Sequence, residues 1–159
     1  MHHFSLSASF TLFSSTLLAS SLTLLSVASL AAPLTGEVIS PQRFEKRQVG
    51  EGKAVIEILK EGKFAFVGRL TLAAGASVPQ HRDPTEEYLI ITEGAGDITI
   101  EGITSHVTAG DMIYMPANAE VSFKNGAQRL VAWQVFAGPK SARKYDRWQR
   151  VSPPSTQAP

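Results

Sequence analysis

The chain has 159 residues, enough for one domain of ordinary size once a targeting segment is set aside. Its 15 basic and 14 acidic residues nearly cancel, so nothing in the overall charge draws it to nucleic acid or to an acidic membrane surface. Cysteine is absent, which removes disulfides, thiolate nucleophiles and cysteine-ligated zinc or iron–sulfur centres together and leaves any metal to oxygen and imidazole ligands.

The chain opens on an address. No charged residue occurs between Phe4 and Gly36, and Leu17, Leu18, Leu22, Leu24, Leu25, Val27 and Leu30 concentrate the apolar weight. This reads as a signal-peptide core, with Ser29 and Ala31 at the small-residue positions that place cleavage after Ala31. The expected location is periplasmic or secreted, with no membrane association after cleavage. An uncleaved membrane anchor is the alternative, since His2 and His3 stand where Lys or Arg normally supply the leading charge and the stretch is long enough to span a bilayer.

Residues 32–53 read as a lead-in and 54–138 as one barrel. Within the barrel the sequence predicts strands at Ala54–Leu59, Phe64–Leu72, Tyr88–Thr92, Asp97–Ile100, His106–Val107, Met112–Met115, Val121–Phe123 and Leu130–Phe136. Turns are expected at Glu61-Gly62-Lys63, Glu93-Gly94-Ala95-Gly96, Glu101-Gly102 and Asn125-Gly126. Short antiparallel strands joined this tightly must close or cover their edges, and an all-β double-sheet jelly roll does so. Residues 139–159 form a C-terminal extension, disordered after about residue 151. Its basic run, Lys140, Arg143, Lys144, Arg147 and Arg150, is expected to be a solvated surface.

The chemistry-bearing stretch runs from Gly75 through His81, Asp83 and Glu87 to Gly94, and a second runs from Gly110 through Pro116, Asn118 and Val121 to Asn125. The first resembles the first motif of the cupins, with Gly75, His81, Glu87 and Gly94 in register and Asp83 in place of the motif's second His. The second resembles the second cupin motif, with Gly110, Pro116 and Asn125 in place, Asn118 where the motif has Gly and Val121 where it has a metal-binding His. The resemblance implies a double-stranded β-helix, or jelly-roll cupin barrel, and a metal site inside it.

On that resemblance His81, Asp83 and Glu87 are the candidate ligands for a divalent Mn, Fe, Ni or Zn ion, and the oxygen-rich set favours harder ions. Tyr88, Met115, Val121, Phe123 and Gln134 are the candidate pocket residues, Tyr114 and Trp133 further lining candidates, and Glu86 a candidate free base. His106 reads as an exposed hairpin residue. The leading expectation is an exported protein that holds a small-molecule ligand in the barrel, with a divalent metal or without one, and forms a homodimer with no nucleic-acid partner. Two rivals stay open: a metal-dependent enzyme of dioxygenase or isomerase type, and a metal-free binding or assembly module.

Overall fold

The computed structural model describes residues 35–151; the signal segment expected at 1–31 and the tail expected to be disordered beyond 151 lie outside them. A 3-10 turn at Pro41–Arg43 leads into β1 (Glu45–Val49), β2 (Ala54–Glu61), β3 (Phe66–Leu72), β4 (Ser77–Arg82), β5 (Glu87–Glu93) and β6 (Ala95–Ile100). Then come β7 (Ile103–Thr108), β8 (Met112–Met115), β9 (Glu120–Asn125), β10 (Leu130–Phe136), a 3-10 helix at Ser141–Arg147, and β11 (Gln149–Arg150). The strands pair antiparallel in two sheets, of order β11-β1-β2-β3-β10-β5-β8 and β4-β9-β6-β7.

Alternation fixes which side chains meet inside. In β3 the residues Phe66, Gly68, Leu70 and Leu72 are buried and those between them are not; in β5 the same holds for Glu87, Leu89 and Ile91. From the smaller sheet β9 contributes Val121 and Phe123 and β6 contributes Ile98, so both sheets feed one apolar core. The all-β jelly-roll expectation therefore holds.

Three strands were not legible in advance, the short β11 in the expected C-terminal extension among them. β4 contains Pro79, which donates no ladder hydrogen bond; its pairing with β9 shifts register between Val78 and His81, so the bulge absorbs the proline. β1 reads Glu-Lys-Arg-Gln-Val, with no apolar alternation, and lies in the expected lead-in; it is held by β2 on one side and β11 on the other. The sheet thus reaches past both limits of the 54–138 span.

The motif positions have structural reasons. Asn118 adopts φ +63°, the left-handed angle that asparagine tolerates and a motif glycine supplies. Asn125 is not an exposed turn residue: it is 3% exposed, and its Nδ2 donates to the carbonyls of Ala73 at 2.7 Å and Gln128 at 2.9 Å. It brackets the loop before β4 to the loop before β10.

On the outer face of β2, Glu57 is almost wholly buried beneath Lys46, 2.7 Å away, and Arg69, with which it forms an ion pair. Burial alone pushes its carboxyl up, but the two cations outweigh burial and hold it below its ordinary 4.5. The folded state therefore binds this proton less tightly than the unfolded chain, so the pair stabilises the protein above pH ~4.5 and the benefit fades as pH falls below that. Glu57→Gln is expected to lower the unfolding free energy by about 1 kcal/mol at pH 7 and by much less at pH ~3. Urea titrations at both pH values check this; an equal loss at the two would remove the ion-pair account.

Candidate functional site

Three elements bring polar side chains to one end of the core. β4 delivers His81, which pairs in register with Val121 of β9. Asp83 follows just beyond β4, where its carbonyl accepts from the Asn118 N–H at 2.7 Å, and Glu87 opens β5 facing inward. One ligand atom from each of His81, Asp83 and Glu87 lies within 4.8 Å of the others. Asp83 and Glu87 are buried, at 8% and 4% exposure.

The C-terminal segment completes the cluster. Lys144 Nζ donates to Asp83 Oδ2 at 2.6 Å and sits 4.8 Å from the centre of the Phe136 ring. Tyr145, fully inside, donates its hydroxyl to Gln134 Oε1 at 2.5 Å, and Gln134 Nε2 in turn donates to Glu87 Oε1 at 2.5 Å. Lys144 is therefore not part of a solvated basic surface, unlike Arg143, Arg147 and Arg150, which are exposed. Neither Lys144 nor Tyr145 was foreseeable from local pattern, because both act through contacts about sixty and eleven residues away in the chain.

The electrostatics follow from burial and from that lysine. Burial pushes the Glu87 carboxyl up, against the opposing pull of the Lys144 charge and the Gln134 hydrogen bond. Asp83 goes the other way: burial would raise it, but His81 and Lys144 together hold it below the usual carboxylate range. His81 is raised by its contact with Asp83, with Nε2 3.5 Å from Oδ2, and its Nδ1 lies 2.9 Å from the Pro79 carbonyl oxygen.

Beyond this cluster lies a cavity of about 270 Å³. Its walls include Leu70, Leu89, Ile91 and Ile98 together with the expected Met115, Val121, Phe123 and Gln134; Trp148 also lines it. Tyr88 does not line it. Glu87 points inward, so its neighbour along the strand must point outward, and Tyr88 stacks there on Tyr114 at 5.3 Å. Strand parity also turns Trp133 out while Gln134 turns in. Glu86 accepts hydrogen bonds from Tyr88 and Tyr114 on the outer surface and so cannot act as a base in the pocket. His106 is exposed and paired with Asp97 at 2.8 Å.

The comparisons with known proteins agree with this architecture. The family described as Cupin domain matches residues 68–135, a span that contains both motifs. The barrel has the cupin fold. An uncharacterized protein of Streptomyces coelicolor is 27% identical over 97 residues, covering 61% of this chain and 91% of that protein. Among solved structures, an RmlC-like cupin from Shewanella frigidimarina superposes with a TM-score of 0.62 at 15% identity, covering 69% of this chain and 96% of the other. A predicted oxalate decarboxylase from Thermotoga maritima superposes at 0.58 and 20% identity, covering 64% and 99%. At such identities the likeness speaks for the cupin fold alone.

Cupin barrels imply a metal, and the donor set can be tested against one. His81, Asp83 and Glu87 converge, but the fourth position is the hydrocarbon side chain of Val121, and Asp83 already holds an ammonium. A divalent ion on Asp83 would stand within about 4 Å of Lys144 Nζ, a repulsion of about 8 kcal/mol at an effective dielectric of about 20. With Lys144 docked, the set does not fit a divalent ion.

Proposed function

We propose that this cupin domain binds a small molecule with an apolar body and one oxygen-bearing head group. The body lies along Leu70, Leu89, Ile91, Ile98 and Phe123, and the head meets the polar cluster of His81, Glu87 and Lys144. The observation that carries this reading is the contrast within one cavity of about 270 Å³: hydrocarbon walls, and a single end where donors and acceptors converge. His81 and Lys144 have side chains 29% and 32% exposed, so that end is also reachable from solvent.

The volume equals the liquid share of about nine waters, which suits a ligand of roughly ten non-hydrogen atoms. Octanoate and 1-octanol are probes of that size. Calorimetric titration is expected to give a Kd of about 0.1 mM for the better of the two, near −0.5 kcal/mol per non-hydrogen atom. Ile98→Phe, which fills the cavity without touching the polar cluster, is expected to weaken it at least tenfold. If neither probe binds, or if Ile98→Phe binds as well as the parent, the barrel is not the ligand site.

A metal-dependent dioxygenase or isomerase needs an ion at His81, Asp83 and Glu87, and Lys144 stands in its way; binding is the reading the geometry favours. Export, which rests on the uncharged leader from Phe4 to Gly36, belongs to the same proposal. So does homodimerisation through a sheet edge: β8 is the outer strand of the larger sheet and presents Met112 and Tyr114 to solvent.

A further inference from the structure

We infer that Lys144 is the resident cation of this site: its ammonium, bonded to Asp83, takes the place of a divalent ion in the cluster, and removing it opens a latent metal site. The inference is independent of which small molecule the barrel binds, because it is read from metal affinity alone.

Three features carry it. The first is placement. Lys144 Nζ is 2.6 Å from Asp83 Oδ2, it lines the same cavity as His81 and Glu87, and its positive charge acts on all three members of the cluster. An ion held by His81, Asp83 and Glu87 together would have to share Asp83 with that ammonium.

The second is rigidity. A flexible surface lysine would step aside for a better cation, but this one is held by its backbone. Ala142 and Tyr145, two residues before it and one after, are buried in the core. Arg47 Nη1 donates to the Tyr145 carbonyl and to Asp146 Oδ1, both at 2.8 Å, and Ser141 Oγ lies 2.6 Å from Thr85 Oγ1. Its ammonium also lies over the faces of Phe136 and Tyr145, 4.8 and 5.6 Å from their centres, where a cation is favoured. Five separate contacts therefore set where the ammonium goes.

The third is charge matching. Asp83 and Glu87 are two buried carboxyls in one cluster, and a buried carboxylate needs a counter-charge. Lys144 supplies that counter-charge from within the chain. Val121 is consistent with this arrangement: beside His81, it offers hydrocarbon where a fourth ligand would be required.

The test is metal titration of the chelator-treated protein with MnCl2, NiCl2 and ZnCl2, followed by calorimetry and by elemental analysis after gel filtration. The parent protein is expected to retain well under 0.1 equivalent, an order-of-magnitude figure for a site whose cation position is filled. Lys144→Met keeps the length of the stem and removes the charge, and is expected to tighten Ni²⁺ and Zn²⁺ at least tenfold. Lys144→Arg keeps the charge and is expected to bind as weakly as the parent. Adding Val121→His to Lys144→Met is expected to tighten binding at least tenfold more.

Near-stoichiometric metal on the parent protein overturns the inference whatever the variants do, so it stays testable even if Lys144→Met folds poorly. Equal metal affinity of folded parent and folded Lys144→Met overturns it as well. Neither result bears on octanoate or octanol binding, so the ligand reading fails or stands separately.

Discussion

Tyr145→Ala is expected to destabilise the protein by about 4 kcal/mol, the scale of deleting a buried aromatic from a packed core. Tyr145 is 2% exposed and its ring lies 5.8 Å from Phe66, 6.5 Å from Phe136 and 4.8 Å, edge-on, from Trp148. Its hydroxyl also anchors Gln134, which holds Glu87. Tyr145→Phe separates the two roles. It keeps the ring and strands one acceptor of Gln134, so about 1–2 kcal/mol should be lost. Urea unfolding of the three proteins gives both figures. A loss below about 1 kcal/mol for Tyr145→Ala would mean that the segment after Pro139 is not part of the cooperative unit, and the account of Lys144 as a rigidly placed group would go with it.

Gly94→Ala should be nearly as severe, at about 3 kcal/mol, and for a reason that differs from most glycine positions. Gly94 has φ +84°, and a Cβ there would come within 2.5 Å of the Arg129 carbonyl oxygen and 2.9 Å of the Leu130 Cα. Both are backbone atoms at the start of β10 and cannot rotate away. Gly102 offers the control, because it has φ +79° and nothing within 4 Å of its Cβ position. Gly102→Ala should therefore show the backbone strain alone, about 1 kcal/mol. Similar losses at the two positions would show that conformation, not the close approach of the β5–β6 junction to the backbone at Arg129 and Leu130, is what glycine serves at Gly94.

Much of the architecture was legible because this chain announces its turns. Glu101 and Gly102 both take positive φ, at +47° and +79°, and close a two-residue hairpin between Ile100 and Ile103 as the Glu-Gly pair predicts. Strand interiors such as Leu130–Phe136 were legible from their apolar runs. β4 was hidden by Pro79 and β1 by its charges, since both are strands only because a neighbour pairs with them.

The candidate site was legible to the extent that it lies within one stretch of chain. His81, Asp83 and Glu87 come from seven consecutive residues, and the structure brings their ligand atoms together. The assignment of Tyr88 to the pocket was avoidable: adjacent residues of one strand cannot both face inward, so choosing Glu87 excluded Tyr88. Lys144 carried no such local signal. A lysine among other basic residues reads as surface until something places it beside Asp83, and that contact spans 61 residues of chain.

The bond from Arg47 to the carbonyl of Tyr145 joins residues 98 apart, nearly the whole length of the barrel. β1 likewise gains its second partner only from Gln149 and Arg150. Order of synthesis therefore matters. A ribosome that has finished every strand from β2 to β10 has not yet made the residues that lock the first strand or place the cation. The first strand cannot be locked until that segment has emerged, so assembly is completed late in the synthesis of this domain. A premature stop after Pro139 would leave the whole matched span, 68–135, intact and yet release a barrel with its site unfinished.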